Sequence, residues 1–275
     1  MKNNPICVMG LGTVGFPTAL YLHHRGCQVT GYDISSSAIQ KASAYIKATD
    51  DPAEVPADTQ YFIICVSTTQ VNGRPDMSSV YDSCWKISEF HPRLVSIEST
   101  VPLGTCREIY KSILKSRTSV AHLPHRYWSQ DPYRHGVCQP RVLGGVDSIS
   151  LLKAKQFYSR VRIPFLEVEP IEIAEMAKIA ENSYRYVQIA FAQELQSICR
   201  EKKIDFGKLR QACNSKWNID IPEARDGIGG TCLPKDIRYL ITAAEDLGLK
   251  PDLLRSAIQS DRTYRSGFLK PLVHA

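Results

Sequence analysis

The sequence contains no run approaching the roughly 18 consecutive apolar residues that would cross a bilayer, so a transmembrane helix is not expected. Its opening, MKNNPICVMG, lacks a charged segment followed by a long apolar one, so a secretory leader is not expected either. None of the nine cysteines forms a C-x-x-C pair, and the number is odd. Several, such as Cys7 and Cys65, sit inside apolar runs. That pattern suits reduced thiols in a cytoplasm rather than a disulfide framework. The formal charge is +6, yet Lys and Arg are spread along the chain and no stripe interleaves basic with aromatic residues. Nucleic acid is therefore not an expected partner, and anionic small molecules fit the charge as well. Internal repeats and low-complexity tracts are lacking too.

What is present is ordinary globular material. With 275 residues, 43% of them hydrophobic, the chain can bury one large core or two modest ones. The first 170 residues alternate short apolar runs with longer amphipathic ones. PICVMGL, QVTGYD, YFIICVS, LVSIES and SVAHLP read as buried strands, rich in Val and Ile. VGFPTALYLHHRG, apolar on one face and closed by Gly26, reads as a crossover helix between the first two. This rhythm predicts parallel pairing and a doubly wound α/β Rossmann sheet. RVLGG, LLKAKQFYSRV and IPFLEV add one more strand, helix and strand. Beyond Pro170 the texture changes: up to Glu201 there is neither Gly nor Pro, and apolar residues recur three and four apart. One helix of about thirty residues, roughly 45 Å long, is predicted there, followed by shorter helices. The expected domains are 1–170, a Rossmann domain, and 171–275, a smaller all-helical domain built on the long helix.

GLGTVG, with Gly10, Gly12 and Gly15, directly follows a predicted strand and opens a predicted helix. In that context Gly10 allows a tight turn, Gly12 lets the backbone approach a pyrophosphate, and Gly15 lets helix and strand pack closely. Thr13 and Val14 belong to the same cradle, whose helix-start N–H groups face the phosphates. The second strand ends in Asp33, placed to bind a ribose 2′-hydroxyl and to repel a 2′-phosphate, so NAD is the expected cofactor. A second feature is GIGGTCLPKD, residues 227–236. Its glycines free the backbone before Cys232 and Pro234 stiffens it after, so the thiol can be presented to a pocket. Asp236 follows one helical turn later.

GGTCLPKD resembles the nucleophile loop of the nucleotide-sugar 6-dehydrogenases, the UDP-glucose, GDP-mannose and UDP-N-acetylhexosamine dehydrogenases. Three further stretches agree in order: VSTTQVNGRPDMSSV, ESTVPLGT (98–105), and EIAEMAKIAENSYRYVQIAFAQEL (172–195). The resemblance covers nearly the whole chain. It implies NAD-dependent oxidation of a primary alcohol to an aldehyde, then to a carboxylate through a thioester on Cys232. It also implies that Lys178 and Asn182 stabilise the oxyanions, Asp236 and Thr100 orient water, and Val66, Thr68 and Thr100 line the cofactor. Lys178 and Asn182, four apart on one helix, can point at one oxygen. A homodimer along residues 172–200 is implied as well.

Two departures stand out. The family carries Pro-Glu where this sequence has LPHRYWSQDP, so His125 takes the glutamate's place as acid/base. His122, His125, His135 and Cys138 in that stretch also have a permissible zinc spacing, although the resemblance implies no metal there and none is expected. The family further carries a third domain that grips the nucleotide, and this sequence stops at LKPLVHA, about where it would begin. The expectation is a short member taking a nucleotide sugar, or a smaller phosphorylated or nucleoside-like alcohol, with a partner chain as a possible source of the third domain. Two alternatives remain open: a two-electron or β-hydroxyacid dehydrogenase, which needs no Cys232 loop, and a non-catalytic NAD-binding scaffold.

Overall fold

The computed structural model describes residues 5–132 and 134–268; MKNN and the closing LKPLVHA lie outside the described residues. The chain divides into two compact units, Met1–Lys178 and Ile179–Ala275. The division falls inside the long helix, whereas the sequence texture changes at 170. The first turns of that helix are held by the first unit: a Cβ on Gly144 would lie 2.9 Å from the backbone of Ile171.

The first unit runs β1 (Ile6–Met9), α1 (Gly15–His24), β2 (Val29–Tyr32), α2 (Ser36–Ser43), β3 (Lys47–Thr49), β4 (Tyr61–Ile64), the hairpin β5 (Thr69–Val71) and β6 (Arg74–Asp76), and α3 (Ser78–Ile87). It continues through β7 (Leu94–Ile97), α4 (Thr105–Glu108), β8 (Ser119–His122), β9 (Arg141–Gly145), α5 (Ser148–Arg160) and β10 (Phe165–Val168) into α6 (Ile171–Glu201). Among the described residues the main sheet has the order β10-β9-β8-β7-β4-β1-β2-β3. The doubly wound α/β architecture is the one expected. All residues of β1, β2, β4, β7 and β8 are buried, as strands covered on both faces must be. Ile6, Val8, Tyr61, Ile63 and Leu94 join one core with Leu22 of α1 and Phe157 of α5, while the intervening Cys7, Phe62 and Ile64 are buried outside that cluster.

One pairing corrects the expectation of a wholly parallel sheet: β9 is antiparallel to β8, and β10 is parallel to β9. The reason is local. Residues 123–140 contain no helix among those described, and antiparallel neighbours, unlike parallel ones, need no crossover helix to join them. The start of β9 therefore lies at the carboxyl end of β8.

The second unit comprises the rest of α6 with α7 (Phe206–Asn214), α8 (Cys232–Glu245) and α9 (Asp252–Phe268). It is helical as expected, and its core gathers Tyr186, Ile189, Ala190, Ile228, Ile237 and Ala257.

Candidate active site

In an open α/β sheet the carboxyl ends of the parallel strands face the ligand, because each chain leaves the sheet there in a loop. Gly10 follows β1, Asp33 follows β2, Cys65, Val66 and Thr68 follow β4, Thr100 follows β7, and His125 follows β8. The three glycines of the cradle differ in their surroundings. Gly10 has φ +90°, and a Cβ there would meet the Cys65 backbone at 2.8 Å. A Cβ on Gly15 would lie 1.8 Å from the Gly10 carbonyl oxygen, whereas Gly12 has open space around it. The first and third glycines are thus demanded by the protein's own packing, and Gly12 leaves room for a ligand. Thr13 and Val14 lead into α1, which has no acidic residue in its first turn and no side-chain cap. Asp33 accepts hydrogen bonds from the Leu11 N–H (2.5 Å) and the Ser35 N–H (2.8 Å), tying the acid to the loop it was expected to complement. Ser99 donates to the Val66 carbonyl at 2.7 Å, joining the loop that carries Thr100 to the one that carries Val66.

Behind this edge lies a charged cluster that sequence reasoning found only in part. His125 is buried, and its ring meets the Glu98 carboxylate. Arg141, at the start of the reversed strand β9, donates to the same carboxylate at 2.8 Å. The Tyr158 hydroxyl donates to the other oxygen of Glu98 at 2.6 Å and also meets Ser96. Burial alone would raise the Glu98 pKa, but Arg141, His125 and these hydrogen bonds hold it down to about 2. Burial pushes His125 down to about 4, reinforced by Arg141 and opposed by Glu98. At neutral pH the pair is an ionised Glu98 with a neutral His125, which donates its Nε2–H to the carboxylate. Among the described residues the other ring nitrogen, Nδ1, is buried without a hydrogen-bond partner. Lys178 is close enough to add to the positive field on His125.

The helix start that carries Lys178 is tied to the Thr100 loop by a carboxylate. Glu175, fully buried, accepts from the backbone N–H of Gly104 (2.6 Å) and of Cys106 (2.8 Å). Arg107 adds a two-pronged contact to Glu172 at 2.6 and 3.1 Å. Such bidentate pairs fix orientation as well as distance.

In the second unit, Cys232 is the first residue of α8, and its thiol is exposed. Asp236, one turn later on the same helix face, is buried and accepts from the Asn182 amide at 2.5 Å. Its other oxygen pairs with Lys235 at 2.7 Å. Three of the expected residues, Cys232, Asp236 and Asn182, are thereby brought together within one unit. Asn182 spends one amide hydrogen on Asp236 rather than holding both for an oxyanion.

The zinc spacing is not realised. Among the described residues the one metal-competent group is Cys65, Glu98 and His125, not His122, His125, His135 and Cys138. His122 instead donates from Nδ1 to the Ile97 carbonyl at 2.7 Å inside the sheet. The Arg141 guanidinium already supplies the cation that Cys65, Glu98 and His125 would otherwise attract.

Residues 40–162 match the UDP-glucose/GDP-mannose dehydrogenase family, NAD binding domain, and residues 172–263 match the family's central domain. The chain belongs to that family. A UDP-N-acetyl-D-mannosamine dehydrogenase of Pyrococcus horikoshii is 30% identical over 276 residues, covering 89% of this chain and 66% of the relative. An NDP-N-acetyl-D-galactosaminuronic acid dehydrogenase of Ralstonia nicotianae is 29% identical, covering 88% and 65%. The solved structure of the Pyrococcus horikoshii UDP-D-ManNAc dehydrogenase superposes with a TM-score of 0.86 at 27% identity, over 96% of this chain and 69% of that one. The chain thus spans just under two thirds of the length of these curated relatives. Glu98, Arg141 and Glu175 are the site-edge residues that sequence reasoning missed. Glu98 opens the ESTVP motif and was within reach, whereas Arg141 became visible only with the reversal of β9.

Proposed function

We propose that this chain is an NAD-dependent oxidoreductase that converts the primary alcohol of a nucleotide sugar to a carboxylate in two oxidations. The observation that carries the reading is the cluster at the start of α8, where an exposed Cys232 thiol stands one turn from a buried Asp236 bonded to Asn182. A thiol used only for packing sits in an apolar core.

The open space at Gly12 and the loop-bound carboxylate of Asp33 fit the pyrophosphate and ribose of NAD. NAD supplies the hydride acceptor, twice per substrate. Lys178 stabilises the alkoxide as the alcohol loses its proton and hydride. The Cys232 thiolate adds to the resulting aldehyde carbon, forming a C–S bond while the carbonyl oxygen becomes an oxyanion, which Asn182 stabilises. Loss of a second hydride leaves a thioester. Water, oriented by Asp236, cleaves the C–S bond to release the acid and regenerate the thiol. Splitting the difficult step through a thioester is what a nucleophilic thiol is for. His125, buried against Glu98 and Arg141, takes the place of the family glutamate behind the site. The overall balance is one alcohol, two NAD and one water giving one carboxylate, two NADH and three protons.

The same reading places the protein in a homodimer, supported by Tyr184, Phe191 and Ile198 exposed at seven-residue intervals along α6. A cytoplasmic setting is supported by nine cysteines that are all thiols, and no described helix is long and apolar enough to cross a membrane. The test is a stoichiometry. With UDP-N-acetyl-D-mannosamine as the first substrate tried, wild type should yield two NADH per sugar and a product two oxidation steps up by mass. Cys232→Ser should yield one NADH and stop at the aldehyde or a trapped ester. One NADH and free aldehyde from wild type would make this a two-electron enzyme, and no NADH from any nucleotide sugar, nucleoside or sugar phosphate would overturn the reading.

A further inference from the structure

The loop that carries Cys232 ought to be the loosest segment of the second unit, since glycines at 227, 229 and 230 precede the thiol. One residue within it is held with unusual completeness. Ile228 is fully buried in the core with Tyr186, Ile189 and Ile237. Its N–H donates to Asp261 Oδ1 at 2.8 Å, and its carbonyl accepts from Arg265 Nη2 at 2.6 Å. Asp261 and Arg265 sit four apart on α9 and pair with each other at 2.9 Å. An ion pair therefore grips both backbone groups of one residue. The preceding residue is consistent with this grip: Gly227 has φ +114°, and a Cβ there would press on the Arg265 guanidinium at 2.7 Å.

The grip is itself braced. Asp261 is buried and receives Gln193 Nε2 at 3.0 Å and the Tyr186 hydroxyl at 3.3 Å, both from α6. Its two oxygens thus serve four donors, which is all a carboxylate can take in good geometry. On the far side of the thiol, Asp236 anchors α8 to the same helix through Asn182. Cys232 lies between two fixed points, with only Gly229, Gly230 and Thr231 separating it from the gripped residue.

We infer that Asp261 and Arg265 are positioning residues for the Cys232 nucleophile, acting through the backbone of Ile228. The inference rests on the reading of Cys232 given above. Displacement of a nucleophile by about 1 Å can cost on the order of 100-fold in rate, and a loop of glycines has no stiffness of its own to prevent it. The ion pair replaces that missing stiffness, so the glycines can keep the backbone thin without letting the thiol wander.

The two oxidations separate this role from simple stabilisation, because only the second needs the thiol. Each is measured alone, the first by NADH formed from the alcohol in a single turnover, the second by NADH formed from the purified aldehyde. Arg265→Lys retains a cation opposite Asp261 but lacks the prong that reaches the Ile228 carbonyl, and Asp261→Asn weakens the whole grip. Both should slow aldehyde oxidation by about 10- to 100-fold while alcohol oxidation stays within about twofold of wild type. A role confined to stability would lower both steps together, in proportion to the folded fraction seen by circular dichroism, and Arg265→Lys covers the case in which Asp261→Asn does not fold. Equal losses in both steps, or no loss in Arg265→Lys, would overturn the inference. If Cys232→Ser itself oxidised aldehyde at the wild-type rate, the thioester reading would fall, and this inference with it.

Discussion

Lowering the pH from 7 to 5 should destabilise the first unit by an amount that two buried histidines determine. His122 and His125 are both enclosed, and burial pushes each down to about 4. His122 has the Ile97 carbonyl and, after it, the Glu98 charge to favour its charged form, and burial outweighs both. His125 has the Glu98 carboxylate, but Arg141 and Lys178 oppose protonation. In the unfolded chain both return to about 6.5. The folded values are therefore depressed, and below pH 6.5 the unfolded chain binds more protons than the folded one. The stabilisation is complete above that pH and is lost progressively as the pH falls toward 4. Integrated from pH 7 to pH 5, the loss is about 2 kcal/mol per histidine, about 4 kcal/mol together. Glu98, held at about 2, stays ionised across this window, and its own contribution begins to be lost only below roughly 4.5. Against a total stability of about 5–15 kcal/mol the loss is large. Urea unfolding at pH 7, 6 and 5, followed by the fluorescence of Trp85 and Trp128 with Trp217 of the second unit replaced, measures it directly. His122→Gln and His125→Gln should each remove about half of the pH dependence. A stability unchanged between pH 7 and pH 5, or an imidazole proton resonance of either residue titrating near 6.5, would refute the argument.

Cofactor choice should follow Asp33. Wild type should use NAD with clear preference over NADP, and Asp33→Ser should narrow the gap and raise KM for NAD, since the carboxylate also holds the Leu11 N–H; equal use of the two cofactors by wild type in steady-state kinetics would contradict this. The exposed stripe on α6, with Tyr184 67%, Phe191 56% and Ile198 58% accessible, should be covered in solution. Light scattering at micromolar concentration should give twice the chain mass, and Phe191→Glu should give the single mass.

The glycine cradle was legible because each of its requirements is local. A tight turn, an open backbone and a close helix start act within a few residues, so Gly10, Gly12, Gly15 and Asp33 could be assigned roles from their order along the chain. For Lys178 and Asn182, one turn apart on α6, and for Asp236, one turn after Cys232 on α8, the spacing allows a shared target but the roles came only with the family resemblance. Burial on both faces likewise writes itself into β1, β4 and β7 as continuous Val- and Ile-rich runs. His125 was identified by its place in the sequence, but its state was not, because a pKa depends on what encloses the ring. Only the fold supplied Glu98, Arg141 and Tyr158 around it.

The sequence by itself determined the α/β class, the long helix and the family, since these rest on periodicity and on motifs a few residues long. Tertiary structure alone decided the direction of β9, which follows from how the 123–140 loop turns back and which delivers Arg141 to Glu98. It alone decided that His122 donates into the sheet instead of binding zinc, and that Asp261 and Arg265 close on Ile228 from a helix more than thirty residues away. Contacts of that range leave no periodic trace, because the pairing of two distant side chains constrains neither one's neighbours in the chain.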